Sequence, residues 1–162
     1  MNENSQRLMF EFFNKHGIEN FVGVPDSTMK HFIKHGIKKK KIIVATREEE
    51  AIGIATGMSL AKSPSLVFMQ NAGFGNSIST ITSLVQLYKI PLIFLIGWRG
   101  YLRTDAPEHT KLGKIQPEII KSLGLKSKIL NESNWEKSCK WALAQSKAGN
   151  PCSLIIKREF HD

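Results

Sequence analysis

Short runs of apolar, mostly β-branched residues alternate along the chain with segments in which apolar residues recur every three or four positions. A short apolar run suits a strand buried on both faces of a sheet, and the longer spacing is typical of amphipathic or buried helices. Strands that alternate with helices build a parallel sheet covered by helices on both faces. The strand-like runs are residues 21–24, 42–45, 66–69, 92–96, 153–156 and, more weakly, 126–130.

The sequence therefore predicts a three-layer α/β fold of about six parallel strands. No linker, internal repeat or low-complexity tract divides the 162 residues, so residues 1–162 are expected to form one domain. The apolar residues that mark the helices are Leu8, Met9, Phe12 and Phe13; Met29, Phe32 and Ile33; Ile52, Ala55, Met58 and Leu60; Ile78, Ile81, Leu84 and Leu87; and Trp135, Trp141 and Leu143.

The composition indicates a globular protein of the cytoplasm. The hydrophobic content is 41%, the N-terminus lacks the basic and then apolar order of a secretory signal, and no apolar run approaches the length of a membrane span. Cys139 lies in a predicted helix and Cys152 opens a predicted strand, and the two do not form a metal-type pair. We expect both to be reduced thiols in the core.

The net charge of +9 comes mostly from lysines spread through the chain, with one local run at residues 38–41. Because no aromatic residues are interleaved with that run, a solvated loop at a sheet edge is favoured over a nucleic-acid contact. A basic surface would also suit an acidic partner subunit or an anionic substrate. Nucleic-acid binding, which predicts a steep salt dependence, stays the least favoured alternative.

Ligands of open parallel sheets lie beyond the carboxyl ends of the strands, and the turns at those positions are polar and rich in glycine. Four such turns are predicted to converge on one edge of the sheet. They are Pro25-Asp26-Ser27, Thr46-Arg47-Glu48, Gln70-Asn71-Ala72-Gly73-Phe74-Gly75-Asn76, and Gly97-Trp98-Arg99-Gly100, which leads into Asp105-Ala106-Pro107-Glu108-His109.

Taken one at a time, several of these residues have a plain structural interpretation. Asp26 and Ser27 would serve as an N-cap, and the acidic residues 48–50 would complement the positive end of a helix dipole. An arginine directly after a buried strand, as Arg99 is, must pair with a carboxylate or face a ligand. His109 is expected in a long connection between a strand and a helix, where loops often carry function.

Taken in order, the turns resemble the pyrimidine-binding domain of thiamine-diphosphate-dependent enzymes, most closely that of phosphonopyruvate and sulfopyruvate decarboxylases. The resemblance runs from about residue 10 to residue 125. The motifs that carry it are Val24-Pro25-Asp26-Ser27, Arg47-Glu48-Glu49-Glu50-Ala51-Ile52-Gly53, Met69-Gln70-Asn71-Ala72-Gly73-Phe74-Gly75-Asn76-Ser77, Ile90-Pro91 and Ile96-Gly97-Trp98-Arg99-Gly100.

The resemblance implies a role for individual residues. The family's catalytic glutamate precedes a helix glycine by nine positions, which selects Glu48 from its distance to Gly57, and it hydrogen-bonds the cofactor's pyrimidine N1′. Asp26 and His109 would be catalytic groups that handle protons. The cofactor pocket would include Glu48, Gln70, Asn71, Gly73, Phe74 and Asn76, and the substrate would meet Asp26, Ser27 and Arg99.

The chain has no Gly-Asp-Gly, the motif with which full-length relatives hold the cofactor's diphosphate through Mg²⁺. By the resemblance, it is the α subunit of a hetero-oligomer whose diphosphate-binding β subunit supplies Mg²⁺ and shares thiamine diphosphate. The substrate would be phosphonopyruvate or sulfopyruvate, and the former is preferred because residues 105–109 resemble an Asp-Glu-Pro-Gln-His run at three of five positions. The alternative is a non-catalytic subunit of the same fold that caps a partner's active site.

Overall fold

The computed structural model describes residues 1–102 and 105–157. Six strands form one sheet in the order β2-β1-β3-β4-β6-β5, and every neighbouring pair is parallel, which confirms the predicted fold class. The weak strand predicted at 126–130 has those bounds and lies at one edge. The strands are β1 Asn20–Gly23, β2 Ile42–Val44, β3 Ser65–Gln70, β4 Ile93–Trp98, β5 Lys126–Leu130 and β6 Cys152–Lys157.

The helices form a layer on each face of the sheet. One layer contains α1 Glu3–Lys15, α2 Lys30–Lys38 and α7 Trp135–Lys147. The other contains α3 Glu48–Leu60, α4 Asn71–Asn76, the short α5 Ile78–Thr80 with the π-helical turn Ile81–Gln86, and α6 Pro107–Ser122. A 3₁₀ turn, Ser27–Met29, leads into α2.

Each layer has its own apolar core, and the strands contribute alternate residues to the two. In β3, Leu66 and Phe68 belong to the first core, whereas Val67 and Met69 belong to the second. This alternation follows from the twofold side-chain period of a strand, and it explains why the central strands are mostly apolar. The sheet is thereby fixed from both sides, with the carboxyl ends of the strands at a single edge.

Helix α6 is the element that differs most from the sequence prediction. It begins at Pro107, so that His109 lies in its first turn and not in a connecting loop. Pro117 has no N–H for the carbonyl of Gly113, four residues earlier, and Trp98 Nε1 donates to that carbonyl at 2.8 Å instead. Gly113 also lies directly on the backbone of Gly100, where a Cβ would overlap. Gly113 and Pro117 disfavour a helix in the sequence. In the fold, the contacts at these two positions attach α6 to the residues at and just after the end of β4.

Several smaller predictions can be compared directly. Cys139 and Cys152 are buried and form no disulfide, and lysines 38–40 are exposed where α2 ends beside the edge strand β2, as expected. Leu8 in α1 and Leu60 in α3, which mark helices in the sequence, are exposed, and so is Leu87, just after the π-helical turn. No helix in the described ranges is long and apolar enough to cross a membrane.

Candidate active site

The turns after β1, β2, β3 and β4 meet at one edge of the sheet, as the sequence predicts. Gln70 Nε2 at the end of β3 donates to Asp26 Oδ1 after β1 at 3.2 Å. Arg99 Nη1 after β4 donates to Ser27 Oγ at 3.4 Å. The turn after β2 joins them through Glu48, whose side chain lies against α4. Residues far apart in sequence thus form one polar cluster.

Glu48 is the first residue of α3 and is half-buried. Its carboxyl group lies over Gly73, so closely that a Cβ on Gly73 would overlap it. Glycine is therefore required at position 73 for the carboxylate to occupy this place. Among the residues that the structure describes, none forms a hydrogen bond or an ion pair with the Glu48 carboxylate.

The two neighbouring glutamates have partners of their own. Glu50 Oε2 accepts a hydrogen bond from the N–H of Thr46 at 2.8 Å, just before the helix. Glu49 Oε1 is 3.5 Å from Arg47 Nη2, and Arg47 is largely exposed. These contacts are what an acidic helix N-terminus provides structurally. The helix N-terminus thus accounts for the contacts of Glu49 and Glu50, whereas Glu48 has no such contact among the described residues.

Asp26 is held in a defined orientation at the end of β1. It is 7% exposed, and its Oδ2 accepts from the N–H of Thr28 at 3.0 Å, which caps the 3₁₀ turn. A Cβ on Gly97 of β4 would overlap the same oxygen, so the missing side chain makes room for the carboxylate. The capping role predicted for Asp26 is present, together with its place inside the polar cluster.

Arg99 forms a two-point ion pair with Asp105, a partner that was not predicted from the sequence. Its Nη2 and Nε donate to Asp105 Oδ1 and Oδ2 at 2.8 and 3.0 Å. Asp105 also accepts from the N–H groups of Gly100 at 2.7 Å and Ala106 at 2.9 Å. The guanidinium and these N–H groups hold the pKa of Asp105 well below its usual range, and the same pairing raises the pKa of Arg99. The sequence signal that could have identified this partner is the aspartate six residues after Arg99.

The residues predicted to line a cofactor pocket occupy different surroundings. Asn71 is buried and bonded to the main chain of Arg99, donating to its carbonyl at 2.9 Å and accepting from its N–H at 3.3 Å. Phe74 is 1% exposed within the second core, whereas Asn76 is exposed. Gly73 faces Glu48. Gln70 donates to the Asp26 carboxylate, and the roles of all these residues toward a cofactor stay predictions.

His109 lies near the cluster without joining it. Its side chain is half-buried, and its carbonyl packs on Gly100, which adopts φ +73°. No hydrogen bond to its imidazole is present in the described part of the chain. The described residues also contain no group of three His, Cys, Asp or Glu side chains arranged to hold a metal ion.

A cavity of about 550 Å³ opens beside the cluster and follows α2. Asp26 and Ser27 line it, and Ile33 and Ile37 contribute apolar side chains. Three lysines also line it, namely Lys30, Lys34 and Lys38. A ligand that reaches the polar cluster through this cavity would therefore pass three lysine side chains.

The sequence profile of the family described as thiamine pyrophosphate enzyme, N-terminal TPP binding domain, matches residues 4–122. The chain belongs to this family. That membership agrees with the polar cluster at the carboxyl edge of the sheet, and it confirms the resemblance drawn from the strand-end motifs. The solved structure of benzoylformate decarboxylase from Polynucleobacter necessarius superimposes with a TM-score of 0.76 at 20% identity, over 98% of this chain and 31% of that one, and so shows the same fold.

Curated relatives fall into two groups. The chain is 32% identical over 122 residues to sulfopyruvate decarboxylase subunit alpha of Methanococcus maripaludis, which covers 74% of this chain and 73% of that subunit. It is 30% identical over 107 residues to phosphonopyruvate decarboxylase of Streptomyces viridochromogenes, which covers 64% of this chain and 27% of that protein. The chain thus matches most of the sulfopyruvate decarboxylase alpha subunit but about a quarter of the phosphonopyruvate decarboxylase.

Proposed function

We propose that this chain is the pyrimidine-binding α subunit of a thiamine-diphosphate-dependent 2-oxoacid decarboxylase. The observation that carries the proposal is the lack of a partner for the Glu48 carboxylate. Of the three glutamates 48–50, Glu48 alone forms no hydrogen bond or ion pair with the described residues. It lies over Gly73 at the carboxyl edge of the sheet, in a chain of the thiamine pyrophosphate family. A carboxylate placed against bare backbone in this way suits a planar heteroaromatic ligand that offers it a hydrogen bond.

The described residues fit the aminopyrimidine end of the cofactor. Glu48 would hydrogen-bond the ring nitrogen, and Gly73 leaves the space in which that carboxylate lies. When bound, the cofactor would supply an electron sink for loss of CO₂. Glu48 would hold a proton at the ring nitrogen, and Asp26 and His109 would exchange protons with the substrate's oxygen and carbon atoms. Asp26 is kept oriented for this by Gln70 and Thr28.

The substrate is proposed to be a small 2-oxoacid with a second acidic group, either sulfopyruvate or phosphonopyruvate. Arg99 donates hydrogen bonds from Nε and Nη2 to Asp105 and from Nη1 to Ser27, which is next to Asp26. That arrangement leaves N–H donors for a sulfonate or phosphonate oxygen. The lysine-lined cavity next to Ser27 would favour the approach of an anion.

A partner subunit is proposed to supply the diphosphate and Mg²⁺ half of the site. The sequence contains no Gly-Asp-Gly, and helix α3, which begins at Glu48, leaves Gly53, Gly57 and Leu60 exposed. Nothing in the described chain lies within 4 Å of a Cβ added at either glycine, although each glycine destabilises a helix by about 1 kcal/mol relative to alanine. Close packing against another chain would account for both residues.

The test is reconstitution with a candidate β subunit of similar length that carries Gly-Asp-Gly. The complex is expected to release CO₂ from sulfopyruvate or phosphonopyruvate, and more slowly from pyruvate, when thiamine diphosphate and Mg²⁺ are added. A complex that binds the cofactor but releases no CO₂ from any of the three would favour the non-catalytic alternative. Absence of any complex or cofactor binding with every candidate partner would contradict the proposal itself.

A further inference from the structure

Arg99 is held by hydrogen bonds at both its main chain and its side chain. The Asn71 side chain binds its carbonyl and its N–H. Asp105 binds its guanidinium through two nitrogens. The side chains of the pair are 13% and 3% exposed, so that water competes little for these bonds. An arginine restrained in this way has little conformational freedom left to lose when it binds a ligand.

The Asp105 carboxylate is itself held in place. Its Oδ2 accepts a hydrogen bond from the N–H of Gly100, and its Oδ1 accepts one from the N–H of Ala106. Its two oxygens therefore occupy fixed positions, and the planar guanidinium must align with them. The edge of Arg99 that carries Nη1 is then directed to Ser27.

We propose that Asp105 is a positioning residue that determines specificity by fixing Arg99 so that its Nη1 meets the second acidic group of the substrate. This inference rests on the proposed function, which supplies the substrate class. Because Asp105 neutralises the charge of Arg99, the pair contributes directed hydrogen bonds and little net charge. The site would then distinguish a 2-oxoacid with a distal sulfonate or phosphonate from one that ends in a methyl group.

The first experiment compares substrates on the reconstituted complex. Asp105→Asn removes the ion pair, and it is expected to raise KM for sulfopyruvate or phosphonopyruvate about tenfold or more, the order of one hydrogen bond to a charged group. KM for pyruvate should change less than about twofold, since pyruvate has no distal group for Arg99 to bind. Glu108→Gln is the matched control, because Glu108 lies near enough to raise the pKa of Arg99 by its charge but is not among its hydrogen-bond partners.

The second experiment asks whether Asp105 acts through Arg99. In a double-mutant cycle, Asp105→Asn added to Arg99→Lys should raise KM no further, because the lysine keeps the charge but cannot form the two-point pair. Arg99→Lys alone should raise KM for the acidic substrates and leave KM for pyruvate nearly unchanged, as Asp105→Asn does. If Asp105→Asn does not yield a folded complex, Arg99→Lys provides the test in its place. Additive effects, or equal changes in KM for pyruvate and for the acidic substrates, would overturn the inference.

Calorimetry separates failure of this inference from failure of the proposed function. The probe is 3-sulfopropanoate, which has the distal sulfonate but no 2-oxo group and therefore cannot be decarboxylated. The complex should bind it more tightly than propanoate, and Asp105→Asn should remove that difference. A preference that survives Asp105→Asn would refute the role of Asp105 even in an active enzyme. A complex that shows the preference without releasing CO₂ would refute only the decarboxylase.

Discussion

Replacing each of the three glutamates with glutamine should separate catalysis from stability. For Glu49, the structure predicts a small change, because its ion pair with Arg47 is long at 3.5 Å and Arg47 is 75% exposed; such pairs contribute about 0.2–1 kcal/mol. For Glu50, glutamine keeps an oxygen that can accept from Thr46 and loses mainly the interaction with the helix dipole, about 0.3–1 kcal/mol. Glu48→Gln should also stay within about 1 kcal/mol, since it breaks no bond with the described residues.

The expected effects on turnover, unlike those on stability, differ sharply among the three variants. Loss of general acid–base function at Glu48 should lower kcat about 10²–10⁴-fold, which corresponds to about 2.7–5.4 kcal/mol of activation free energy. That is several times any expected change in the free energy of unfolding, so the two measurements cannot be confused. Glu49→Gln and Glu50→Gln should retain near-native turnover, and they serve as matched controls for the same change of one charge.

The assay is CO₂ release by the reconstituted complex with saturating thiamine diphosphate and Mg²⁺, so that weaker cofactor affinity is not mistaken for lost chemistry. Urea unfolding of each variant supplies the stability values. Near-native turnover of Glu48→Gln, combined with inactive Glu49→Gln or Glu50→Gln, would show that the wrong glutamate has been assigned. Full activity of all three variants would refute the catalytic interpretation.

Three further predictions concern Gly97, Asp105 and the isolated chain. Gly97→Ala places a methyl group where Asp26 Oδ2 lies, and it should cost about 1–3 kcal/mol in urea unfolding and reduce CO₂ release by displacing that carboxylate. Because the folded chain lowers the pKa of Asp105 below 3.8, the ionised carboxylate stabilises the fold above that pH; the advantage of the unmodified chain over Asp105→Asn in urea unfolding should shrink as the pH falls further below 3.8. The isolated chain should show weak or undetectable binding of thiamine diphosphate by calorimetry, and micromolar, Mg²⁺-dependent binding would contradict the proposed division between subunits.

The central strands β1, β3, β4 and β6 could be predicted from the sequence because they are buried on both faces, which makes each of them a mostly apolar run, whereas the edge strand β5 is largely exposed and gives a weaker pattern. The convergence of the turns followed from the parallel topology alone. Helix α6 could not be predicted, because the compensation for Pro117 comes from Trp98, outside the helix. The partner of Arg99 was missed for a similar reason: the sequence requires a carboxylate or a ligand there, but only the folded connection brings Asp105 to the guanidinium.

The bond from Trp98 to the Gly113 carbonyl also restricts the order in which this part of the molecule can change during evolution. If Trp98 were lost first, the carbonyl would be buried without a donor, at a cost of about 1–3 kcal/mol. If Pro117 were replaced first, the new N–H could serve the carbonyl, after which the indole could be lost without that penalty. Divergent lineages should therefore more often contain the tryptophan without the proline than the proline without the tryptophan.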